Sequence, residues 1–165
     1  MKKILLFVGI LISLLVYTNG IQAQTVTANL DQLKLAQIMV GTWQSDVGKD
    51  TVDIWEVQQY GKAFVSTGFR IISGKKSFSF AENWCFSSKE NKFKGFVVWP
   101  GGGYQTFIFS FTSENKTNGD WILNFNPEAV TGKFEAVYET PTSLIITQFA
   151  KDGVRKSAIK MNKVK

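Results

Sequence analysis

The chain has 165 residues, with 19 Lys and Arg against 13 Asp and Glu, a single cysteine and no histidine. The missing histidine excludes a Ser-His-Asp or Cys-His nucleophile and a His-ligated zinc or haem, and the lone Cys85 excludes an internal disulfide. The lysines are scattered over turn-like segments instead of forming a stripe, which argues against nucleic acid as a partner.

At the N-terminus, Lys2 and Lys3 precede an apolar run from Ile4 to Tyr17 that gives way to small and polar residues before Gln24. This is the pattern of a secretory signal peptide over residues 1–23. Its 14 residues fall short of the ~18 to 20 that a bilayer-spanning helix needs. No cysteine follows Gly20 or Ala23 to accept a lipid. The expectation is a periplasmic or secreted monomer without a membrane anchor, one domain over residues 24–165, with Cys85 buried.

Residues Gln24 to Ala28 read as a leader, and Asn29 with Gln32 three positions later forms a capping box for a short helix. Leu30, Leu33 and Ile38 give that helix an apolar stripe suited to lying across one end of a barrel. Gly41 turns the chain out of the helix, and Trp43 is large enough to plug the end.

From Gly41 onward the hydrophobic period is two, broken by turn residues about every ten positions. Ten strands are expected: Gly41 to Val47, Thr51 to Gln59, Ala63 to Ser73, Ser77 to Phe86, Phe93 to Trp99, Tyr104 to Ser113, Asp120 to Asn126, Lys133 to Glu139, Ser143 to Lys151 and Val154 to Lys163. Links this short cannot carry parallel crossovers. The expected fold is therefore all-β: a single up-and-down antiparallel β-barrel of about ten strands with a short N-terminal helix. The inward face carries Phe78, Phe80, Glu82, Trp84 and Phe86, then Phe93, Val97 and Trp99. It continues through Phe107, Phe109 and Phe111, then Trp121, Leu123 and Phe125, then Phe134 and Tyr138.

A short helix followed by Gly41-Thr42-Trp43 at the start of an up-and-down barrel resembles the lipocalins and the wider calycin group. The ten hairpin-linked strands look closer to fatty-acid-binding barrels and to small bacterial lipocalin-like proteins of unknown function. The resemblance implies a cavity for a hydrophobic or amphipathic small molecule. It also implies a basic residue on the last strand packed across the Trp, for which Lys160 or Lys163 would have to serve. The ten-stranded haem barrels use a histidine that this chain lacks, and no cofactor is expected.

Arg70 and Arg155 are the only arginines after the leader, and up-and-down order puts both at the rim opposite Trp43. Glu82, set among inward aromatics, needs a partner, and a three-residue turn at Gly74 to Lys76 would bring Arg70 within its reach. Glu56 lies near the Trp43 end, where it could accept from an indole N–H or face outward. The candidate ligand site is thus Glu56, Arg70, Phe80, Glu82, Trp84, Trp99, Phe107 and Phe109, suited to an amphipathic anion held by Arg70. Two alternatives stand beside it: a filled barrel serving protein contacts, and a histidine-free enzyme using Glu56 and Glu82 as its carboxylate pair.

Overall fold

Alternation of large apolar with polar residues, interrupted by tight turns, produces ten antiparallel strands in the computed structural model, which describes residues 30–165. They are β1 Gly41–Gly48, β2 Thr51–Tyr60, β3 Ala63–Ile72, β4 Lys75–Ser87, β5 Lys92–Val98, β6 Tyr104–Ser113, β7 Lys116–Leu123, β8 Asn126–Thr140, β9 Ser143–Ala150 and β10 Arg155–Lys163. Each strand pairs with its neighbours in sequence, and β10 returns to β1 to close the barrel. The closing seam is short, with Trp43 opposite Lys163 and Gln44 opposite Asn162. Beyond Gln44, β1 continues to Gly48 paired with β2 alone. The architecture is compatible with a calycin-like fold. The expected signal peptide, the leader and Asn29 lie outside the described residues.

Helix α1, Gln32–Leu35, runs into a 3-10 turn, Ala36–Met39, across one end of the barrel. Its cap is Asp31, whose carboxylate accepts from the Lys34 N–H at 3.0 Å, and not the expected pair of Asn29 and Gln32. Gln32 is instead buried and clamps the backbone of Phe111 in β6. Its Nε2 donates to the Phe111 carbonyl at 3.0 Å and its Oε1 accepts from the Phe111 N–H at 2.7 Å. Both ends of the amide are satisfied, so its burial carries little penalty and fixes the helix to the barrel floor.

Trp43 fills that floor with no exposed surface. Its indole N–H donates to the Met39 carbonyl at 2.8 Å, and its ring meets Tyr138 edge-on at 6.0 Å. Lys163 crosses the indole at 4.8 Å and donates to the Ile38 carbonyl at 2.8 Å, which assigns it the basic position expected from the resemblance. Lys160 pairs with Glu139 instead. Gly41 is required here: its φ is 128°, and a Cβ would stand 2.5 Å from the Lys165 carbonyl oxygen, which accepts from the Thr42 N–H.

Three expectations about facing fail, each for a local reason. The β3–β4 link is the two-residue turn Ser73-Gly74, both at positive φ, instead of the three-residue turn. A bulge then inserts Ser79 between the pairs Phe69 with Phe78 and Gly68 with Phe80. The bulge turns Phe78 outward, 44% exposed, while returning Phe80, Glu82 and Trp84 to the interior. Farther along, β7 starts at Lys116 and stops at Leu123, where Asn124-Phe125 makes a tight turn with both residues at positive φ. Leu123 and Phe125 therefore project from the rim, 55% and 47% exposed, and Ile122 is the residue that is buried. Cys85 alternates with Trp84 and so lies on the outer face, exposed where burial was expected.

Candidate functional site

The interior above Trp43 holds a cavity of about 520 Å³. Rings alone would fill such a barrel, and glycines hold them back. Gly68 faces Phe80, Gly95 faces Phe107 and Gly119 faces Phe134 across neighbouring strands. In each pair the ring lies where the glycine's Cβ would be: an added Cβ at Gly95 would sit 2.6 Å from the Phe107 ring, and at Gly68 or Gly119 it would overlap Phe80 or Phe134. Flattened against the wall, these rings leave the centre open. Trp121 stands edge-on to Phe107 at 5.4 Å and packs on Phe134 at 5.1 Å, completing one wall.

Of the expected site residues, Arg70, Phe80, Glu82 and Trp84 line this cavity, as do Trp99, Phe107 and Phe109. Glu56 does not. It alternates with the buried Trp55 and Val57, its side chain is 41% exposed, and its nearest cation is Lys76 at 3.9 Å. The indoles it was expected to serve donate elsewhere, Trp43 to Met39 and Trp55 to Ser66. A carboxylate pair made of Glu56 and Glu82 is thus divided by the sheet. Arg155 is exposed at the open end and does not line the cavity.

Arg70 faces the cavity mouth but does not reach Glu82. Directly across the β2–β3 ladder stands Asp53, and the two form a two-pronged ion pair, Nε to Oδ1 at 2.6 Å and Nη2 to Oδ2 at 2.7 Å. Asp53 could have been found from sequence, since it alternates with the inward Trp55 and Val57. The ring-covering glycines and Ser66 carried no such signal without the strand register.

Glu82 lies inside the barrel, and its partial accessibility is onto the cavity. Ser66 stands opposite it on β3 and donates to its Oε2 at 3.3 Å, while Ser66 itself accepts from the Trp55 indole N–H. Burial pushes the Glu82 carboxyl up to about 7, against the opposing pull of the hydrogen bonds from Ser66 and Trp55. Two further buried polar atoms among the described residues, Trp84 Nε1 and the Tyr138 hydroxyl, have no protein partner. Burial also raises the Tyr138 phenol, keeping it protonated.

The site is therefore an aromatic chamber with one buried carboxyl, closed below by Trp43 and guarded at its mouth by a self-neutralised ion pair. Chemically it can enclose an apolar body and hydrogen-bond one polar group. The chain matches no protein-family model and no curated protein.

Proposed function

We propose that this protein is an extracytoplasmic, lipocalin-like carrier that holds one small hydrophobic or amphipathic molecule inside its barrel. The observation that carries this reading is the open chamber of about 520 Å³, kept clear of side chains by the three ring-covering glycines. Its volume lies within the ~300 to 1,000 Å³ of small-molecule sites, and its lining combines apolar rings with a few polar groups. The kinship to lipocalins is supported by Gly41, Trp43 and Lys163 acting together at the closed end. The extracytoplasmic location rests on the sequence pattern of residues 1–23. A filled barrel serving protein contacts is disfavoured by the chamber itself. The paired-carboxylate enzyme is disfavoured by the placement of Glu56 on the far side of the sheet from Glu82.

Titration with the uncharged dye N-phenyl-1-naphthylamine tests the reading. The expected result is saturable binding of one dye per chain with enhanced fluorescence. In Gly119→Ala the Phe134 ring has to swing toward the centre, and affinity should fall about tenfold as the chamber shrinks. Absence of saturable binding to the wild type would refute the proposal.

A further inference from the structure

Resting on that reading, we infer that the chamber selects a cationic amphiphile, an apolar ring or chain bearing a protonated amine, with Glu82 as its counter-ion.

Charge inventory comes first. The ionisable side chains lining the cavity are Asp53 on β2, Arg70 on β3, Glu82 on β4 and Tyr138 on β8. Arg70 and Asp53 cancel one another in charge, the guanidinium binding both carboxylate oxygens through Nε and Nη2. A ligand carboxylate at the remaining Nη1 edge would share one guanidinium charge with Asp53 and stand beside that second carboxylate, so the pair offers it no net positive charge. Lys163 offers no help, since it is held below the chamber against the Trp43 ring and the Ile38 carbonyl. An anion therefore meets no free cation, and at the depth of Glu82 it meets another acid.

A cation meets the opposite situation. Glu82 has no ion-pair partner among the described residues and receives only the long hydrogen bond from Ser66 together with the nearby Trp55 indole. A carboxylate so placed has lone pairs to spare, and an ammonium beside it would form a charge-assisted hydrogen bond. Aromatic side chains line the cavity on either side of the position, Phe80 and Trp84 two residues away on the same strand, and their negative π-clouds suit an ammonium. Carboxylate and aromatic faces together are the chemistry that recognises an amine, and they are a poor fit for a fatty-acid headgroup.

Three probes of nearly equal size separate the possibilities: 2-(2-naphthyl)ethylamine, 2-(2-naphthyl)ethanol and 2-naphthylacetate, each titrated calorimetrically into the full chain. At about pH 8 the amine should bind at least tenfold more tightly than the alcohol, with the acetate weakest. In Glu82→Gln the amine should lose that advantage, its affinity falling to within a few-fold of the alcohol's in the same variant. In the wild type, binding the amine releases the Glu82 proton in acid, so amine affinity should fall about tenfold per pH unit below about 7 and the alcohol's should stay level. Acetate binding as tightly as the amine, or an amine advantage that survives in Glu82→Gln, would overturn the inference and leave the carrier reading intact. Failure of all three probes and of the neutral dye would remove both.

Discussion

Glu82→Gln should stabilise the protein at alkaline pH and leave it nearly unchanged in acid. Burial raises this carboxyl from 4.5 to about 7, so the folded protein holds the proton more tightly than the unfolded chain does. The stability this group contributes is complete below about pH 4.5, is lost as pH rises, and stops falling once pH passes the folded value of about 7. A rise of roughly two and a half units at ~1.4 kcal/mol per unit amounts to ~3 kcal/mol. In a barrel of this size that corresponds to on the order of 10 °C in Tm. Glutamine has nearly the same shape, can accept the Ser66 hydrogen bond and cannot ionise. Urea denaturation of both proteins at about pH 4 and about pH 8 reads the difference. The curves should nearly coincide at the lower pH, and the variant should be more stable by ~3 kcal/mol at the higher. Equal stability at both values would mean that Glu82 ionises inside the barrel without cost, contradicting the effect of its burial.

Trp43→Ala empties the barrel floor and should cost ~3 to 5 kcal/mol in the same assay; a loss under ~1 kcal/mol would show that Trp43 does not close the barrel. Tyr138→Phe deletes a buried hydroxyl that has no partner, so it should raise stability by ~1 kcal/mol, and a clear loss would mean that the hydroxyl is satisfied within the fold. The exported protein should begin after Gly20 or Ala23 and carry no lipid, which intact-mass measurement decides; a mass that includes Met1 would contradict the proposed processing.

The closed end of this barrel was legible in the sequence because a few residues there have no other use. A glycine that must approach the chain's own backbone, a tryptophan two residues on, and a lysine near the end of the last strand specify the floor between them. Strand count and order followed from the two-residue period and the shortness of the links. What could not be read was register. A single extra residue, Ser79, sends Phe78 outward and Phe80 inward although both stand on the same side of an unbroken alternation. The same uncertainty hid the match of Arg70 with Asp53, because cross-strand partners are set by turn length and bulges together. Gln32 was misjudged for a different reason: its capping role is local, whereas its actual partner, the Phe111 backbone, lies 79 residues away in sequence. Gly68, Gly95 and Gly119 sat in view within aromatic strands, but their meaning appears only when the ring opposite each is known. The open interior was therefore the least legible feature, since the same aromatic residues without those three glycines would have filled it.

The most direct test of the central claim is native mass spectrometry of protein purified without denaturation from the cells that make it, before and after incubation with N-phenyl-1-naphthylamine. A chamber of about 520 Å³ should yield one small adduct per chain, either a resident molecule or the dye, lost on collisional activation. A bare chain mass that remains bare in the presence of the dye would contradict the account.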